Sequence, residues 1–115
     1  MSENKSSTGM DQNVASLLCY VLGFITGLIF ILIEKDNKVV RFHAFQSLFT
    51  FLATFVIQIL IGIIISIIPI LAIFSLVFSL AVLVLWIFLM VKAFQNQMIK
   101  LPIVGDLAAK QAGVY

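Results

Sequence analysis

Glu34-Lys35-Asp36-Asn37-Lys38-Val39-Val40-Arg41-Phe42-His43-Ala44-Phe45-Gln46-Ser47 is the stretch from which the fold is read. Five of the twelve charged side chains lie between Glu34 and Arg41, and the single histidine follows two residues later. Apolar runs flank it on both sides, Val14 to Ile33 before and Phe42 to Val91 after. A Lys, Arg or Asp at the centre of a hydrocarbon layer costs roughly 2.5–3.5 kcal/mol on insertion scales. The charged stretch therefore belongs at a membrane surface, and each span is placed relative to it.

Composition supports the same solvent. The chain is 63% hydrophobic and 10% charged, against about 25% charged residues in ordinary soluble domains. So little polar surface cannot cover a water-soluble globule. A net charge of +2, scattered along 115 residues, is too small for a nucleic-acid surface. Cys19 is the lone cysteine, which rules out an internal disulfide and a thiolate metal cluster.

The expected fold is all-α, a polytopic bundle of three transmembrane helices with a short interfacial C-terminal segment. Residues 1–12 read as a disordered tail, 13–94 as the membrane domain and 95–115 as the cytoplasmic or interfacial end. The first span covers Val14 to Ile33, close to the roughly 20 residues needed to cross, with Asp11 or Asn13 as its N-cap. Ala15, Cys19, Gly23 and Gly27 recur every four residues and predict a close-packing face. The uncharged run from Phe42 to Val91 is too long for one crossing and must turn at Pro69. That gives a second span over Val40–Ile67 and a third over Ile70–Ala93, with Ser75 and Ser79 as a small seam on the third.

On the second span Ser47, Thr50, Thr54 and Gln58 continue a polar stripe begun by His43. It reads either as hydrogen-bonding glue between helices or as the lining of a polar path. Arg41, His43 and Gln46 lie on adjacent strips at the start of that span. They are expected to project together as a head-group or anion site, helped by the helix dipole. Pro102 is expected to end the third helix, and the segment after it to fold back so that Asp106 pairs with Arg41 or Lys38. Six Lys and Arg side chains flank the loop and C-terminal ends against Lys5 at the other. That count predicts the loop and C-terminus in the cytoplasm and the N-terminus outside.

No pair of carboxylates lies at membrane depth, and the sequence has no phosphate loop, nucleophile elbow or second histidine, so catalytic residues, metal ligands and cofactors are assigned none. The run Gly23 to Ser47, above all Arg41-Phe42-His43-Ala44-Phe45-Gln46-Ser47, resembles a family of small bacterial and archaeal membrane proteins of unknown function. That family is grouped with the membrane subunit of the Tic translocon of chloroplasts. Leu101 to Ala108 is similar to the family's C-terminal signature. The resemblance implies a helical bundle in a prokaryotic plasma membrane. The expected role is a non-enzymatic scaffold or assembly subunit, the alternative a channel or transporter subunit with the stripe along its path. Expected partners are the lipid bilayer and further membrane proteins, including copies of the same chain, with no nucleic acid.

Overall fold

A computed structural model describes residues 5–113. Its elements are α1 (Gln12–Val21), α2 (Phe24–Ile33), α3 (Lys38–Ile67), a 3-10 turn (Pro69–Leu71), α4 (Ala72–Phe94) and α5 (Val104–Ala112). Helices α3 and α4 are each long and apolar enough to cross a membrane, and they double back at Pro69 as the sequence predicts.

The first apolar run behaves differently. It breaks at Leu22-Gly23 into two helices of ten residues each, each only about 15 Å long, half of a hydrocarbon layer of about 30 Å. Gly23 sits at φ 63° and ψ −133°, a conformation that a side chain would strain. The chain then returns to the end from which it came. Asn37, just before α3, donates to Lys5 O (3.2 Å) and to Gln12 Oε1 (2.9 Å). Gln12 in turn donates to Asn96 Oδ1, just past α4, at 3.1 Å. The start of α1, the 34–37 loop and the end of α4 thus share one end of the molecule. The expected first span is a half-depth hairpin, and the N-terminal segment lies beside the 34–37 loop, not opposite it.

A backbone break at membrane depth is tolerated only where its freed polar groups find partners. Here the carbonyls of Cys19, Tyr20 and Gly23 do. The Thr26 hydroxyl accepts from Leu22 N (3.1 Å) and donates to Cys19 O (3.2 Å), bridging the break from within. Trp86 Nε1 on α4 donates to Tyr20 O at 2.6 Å. Ser47 Oγ on α3 donates to Gly23 O at 2.8 Å. The hairpin tip is held by side chains far along the chain as well as by its own.

The small residues expected to form one helical stripe fall on both arms of this hairpin. Ala15 and Cys19 on α1 are fully buried, in one core with Val40, Ala44, Leu89 and Ala93. Gly27 on α2 is pressed against α3, where an added Cβ would lie 2.9 Å from Ala44 O and 3.0 Å from Leu48 N. Gly23 serves the turn. The stripe is therefore not a continuous GxxxG face, because the helix that would carry it is interrupted.

Burial is confined to one end. No residue from 52 to 88 is buried, whereas residues 6–51 and 89–112 hold every buried side chain among those described. At the far end Gln58 Nε2 donates to Ser75 Oγ (2.8 Å) and, more weakly, to Ser79 Oγ (3.4 Å), joining α3 to α4. These two serines are the small seam read from the sequence.

After α4 the helix ends at Phe94, eight residues before Pro102, through a turn with Asn96 at φ 59°. Pro102 instead opens the turn into α5. Gly105 there has no room for a side chain, since a Cβ would fall 2.5 Å from Lys100 Cα. Helix α5 lays Ala108, Ala109 and Ala112 on Phe42 of α3. The C-terminal segment does fold back on the start of the second span, but not through the expected ion pair. Asp106 is exposed and unpaired among the described residues, and the ion pair found there is Lys5–Asp11 at 2.7 Å. That pairing occupies the Asp11 carboxylate, which makes no cap bond to α1.

Candidate functional site

Two polar clusters stand at the crowded end, and the signature Arg41 to Ser47 builds both. The outer one centres on Glu34, a fully buried carboxylate directly after α2. It accepts from Ser7 N (2.8 Å), Asn37 N (3.0 Å) and the hydroxyls of Ser6 and Ser7. Residues 5–11, expected as part of a disordered tail, are packed here through these bonds. Residues 1–4 of that tail lie outside the described residues. Nearby, Arg41 Nη1 donates to Ile31 O (3.2 Å) and Glu34 O (2.7 Å), closing the carbonyl end of α2. A cation at that end also suits the helix dipole. The Arg41 guanidinium lies 5.3 Å from the centre of the Phe45 ring. Asn37 caps α3 through Val39 N and Val40 N.

Burial works to raise the Glu34 pKa, but hydrogen bonds from Ser6, Ser7 and the Asn37 amide outweigh it and hold the carboxyl below its ordinary value. A carboxyl depressed on folding stabilises the fold above its unfolded pKa of about 4.3, and that stabilisation is lost as pH falls through the lower folded value. Acidification through that lower folded value should therefore release the N-terminal segment. Glu34→Ala should release it at neutral pH. Hydrogen exchange at the Ser7 and Asn37 amides reads both effects. Unchanged protection in Glu34→Ala would show that the carboxylate does not hold the segment.

The inner cluster joins α1, α3 and the α4–α5 connection. Leu101 N–H donates to Gln46 Oε1 at 3.0 Å, which fixes how the amide is oriented. Gln46 Nε2 then donates to Ile99 O (2.9 Å) and to the Tyr20 hydroxyl (3.1 Å). The Tyr20 hydroxyl also shares a hydrogen bond with His43 Nδ1, 2.9 Å away. His43 Nε2 is buried with no hydrogen-bond partner among the described residues. Tyr20 also meets the His43 ring edge-on at 5.5 Å.

The expected anion site is thus not assembled. Arg41 faces the α2 carbonyls, while His43 and Gln46 are buried on another side of α3 among Tyr20 and the C-terminal connection. Their spacing puts them on neighbouring strips, but the hairpin and α5 occupy the surfaces to which those strips point. Along the stripe, Ser47 bonds the hairpin tip, Thr54 Oγ1 returns to Phe51 O of its own helix (3.0 Å), and Gln58 bonds α4. Thr50 Oγ1 is buried without a partner among the described residues. A cavity of about 370 Å³ lies under the hairpin tip, lined by Leu22, Phe24, Phe55, Phe78 and Val82, with Thr54, Gln58 and Ser79 as its polar members.

Glu34, Tyr20, Thr26 and Trp86 were not singled out as site residues by sequence reading. For Glu34 a signal existed, an acid directly after an apolar helix and three residues before an Asn cap. For Trp86 none did, because its partner is 66 residues away.

The fold and its clusters define a small all-helical membrane protein whose buried polar groups gather at one end of two crossing helices. Residues 7–108 match the magnetosome magnetite crystal formation protein family, and the chain belongs to that family. It is 41% identical over 104 residues to a UPF0132 membrane protein of Methanocaldococcus jannaschii, covering 90% of this chain and 91% of that protein. A second protein of that organism, also a UPF0132 membrane protein, is 43% identical over 102 residues, covering 89% of this chain and 71% of its own length. A UPF0132 membrane protein of Archaeoglobus fulgidus is 40% identical over 104 residues, covering 90% and 98%. No solved structure matches. The resemblance read from the sequence holds for a family of small archaeal membrane proteins, and the likeness to the Tic subunit is not shown.

Proposed function

We propose that the protein is a non-enzymatic scaffold or assembly subunit of a membrane complex. One observation carries this reading. Most polar side chains of the embedded part bond to one another or to backbone, as in His43–Tyr20–Gln46, Ser47–Gly23 and Gln58–Ser75, with Ser16 Oγ and Thr50 Oγ1 the hydroxyls left without a partner among the described residues. Such pairs fix one packing of helices. A scaffold also fits both a family described by magnetite crystal formation and relatives described only as membrane proteins, because it requires no chemistry from the chain itself. A protein-translocating assembly, as in the Tic-like resemblance, is one setting for it.

The second reading, a subunit lining a polar path, draws on Gln58. Its Oε1 is buried without a partner among the described residues, and the side chain borders the cavity under the hairpin tip. Purification from native membranes after mild cross-linking should recover the chain bound to a further membrane protein or to more copies of itself. Proteoliposomes holding it should show no added flux of ions or small polar solutes. A lone monomer that raises flux, and loses that effect in Gln58→Leu, would replace the scaffold by the path.

The proposed location is the plasma membrane with the crowded end in the cytoplasm. With the N-terminal segment returned to that end, all seven Lys and Arg side chains gather there, which sharpens the bias that sets orientation. In a Cys19→Ala background, Lys5→Cys and Asn37→Cys should both escape an impermeant thiol reagent in intact cells. A reactive Lys5→Cys beside a silent Asn37→Cys would restore a spanning first helix.

A further inference from the structure

We infer that the protein acts on membrane shape: it is a one-sided wedge that favours bilayers convex on the side of its crowded end. The inference goes beyond the scaffold reading and does not rest on it. Its basis is the unequal filling of the two halves of the bilayer.

The molecule is 52 Å long, and α3, with 30 residues, extends about 45 Å of that. The hairpin α1–α2 reaches only partway. Its tip at Gly23 bonds Ser47, and a Cβ there would lie 3.6 Å from the Phe51 side chain, so it ends level with the tenth to fourteenth residues of α3. Beyond that level α3 and α4 continue as a pair with no buried residue from 52 to 88. One half of the bilayer thus holds four helix sections, with α5 packed alongside α3, and the other holds two. With helices about 10–12 Å across, the footprint differs about twofold between the halves.

The hairpin is fixed in that half. Its exposed side chains, among them Ile25, Leu28, Ile29 and Leu32, are apolar and belong in hydrocarbon. Its two ends are tied to the polar end by Glu34, Asn37 and Gln12. Material inserted into one leaflet only expands that leaflet relative to the other, which is how interfacial helices come to respond to curvature. Here the asymmetry is built into an integral protein, and the ligand it recognises is a bilayer of a given curvature.

The test uses the full chain and the opposite signs expected for its two orientations. Lys110→Cys in a Cys19→Ala background carries a fluorophore at an exposed position of α5. The protein is reconstituted in both orientations into giant vesicles, and narrow tubes are pulled from them. An impermeant quencher added outside then silences the molecules whose crowded end faces outward. Before quenching, the outward-facing population should be enriched on the tube over the vesicle by at least about twofold, a preference of only about 0.4 kcal/mol by RT ln 2. The inward-facing population left after quenching should be depleted there. Equal densities on tube and vesicle, or the same sign for both orientations, would overturn the inference.

Discussion

Gln46→Leu should destabilise the protein by about 3 kcal/mol, read as thermal unfolding in detergent. Leucine nearly matches the volume of glutamine and keeps the helix, so the loss isolates the amide. It leaves Leu101 N and Ile99 O without the partner they have at 3.0 and 2.9 Å, and it removes the donor to the Tyr20 hydroxyl. A buried donor or acceptor left unpaired costs about 1–3 kcal/mol, far more than the net worth of a typical hydrogen bond. The α4–α5 connection should also come loose, seen as faster exchange at the Leu101 amide. Gln58→Leu is the comparison. Its amide bonds side-chain hydroxyls at the sparse end, and serine hydroxyls can turn to their own helix carbonyls. It should cost less than about 1 kcal/mol. Equal losses in the two variants would show that Gln46 is not the fastening of the C-terminal segment.

Gly27→Leu should cost about 1–3 kcal/mol, because the added atoms enter a contact between backbones. Already at Cβ the neighbours would be Ala44 O at 2.9 Å, Leu48 N at 3.0 Å and Ser47 Cβ at 3.1 Å. Two of these are backbone atoms of α3, which cannot swing aside as a flexible side chain would. Relief requires α2 to move off α3, and that draws Gly23 O away from Ser47 Oγ. Leu28→Ala, one residue on, removes a side chain exposed at the surface of α2 and should change stability little. Gly27→Ala should fall between them. If Gly27→Leu and Leu28→Ala unfold at the same temperature, the hairpin is not packed on α3 as described.

Together these variants divide the signature Arg41 to Ser47 by the neighbour each residue holds. Arg41 closes α2, Phe42 receives α5, and His43 meets Tyr20. Ala44 makes room beside Gly27, Phe45 lies under Arg41, Gln46 fastens the C-terminal connection and Ser47 the hairpin tip. Seven consecutive residues of a helix face every direction around it, so they can contact every other element at one level. This explains why the stretch reads so distinctly in sequence and yet forms no open site. The distinctness reflects packing on all sides.

The amino-acid sequence alone determined the solvent, the two crossing helices, the turn at Pro69 and the surface position of the charged stretch. Hydropathy, length and charge are local quantities, and each of these features depends on little else. The sequence also showed which side chains at the start of the second span matter, without showing where they point. Tertiary structure decided the course of the first apolar run. Twenty apolar residues satisfy hydrocarbon equally as one span or as a half-depth hairpin, because hydropathy records which solvent a segment prefers and not the direction in which it runs. The choice turned on whether a break at Gly23 could have its carbonyls satisfied. The partners that satisfy them include Ser47 and Trp86, 24 and 66 residues away from the groups they bond. From that choice follow the side on which the N-terminal segment lies, the closure of the expected anion site and the wedge shape of the molecule.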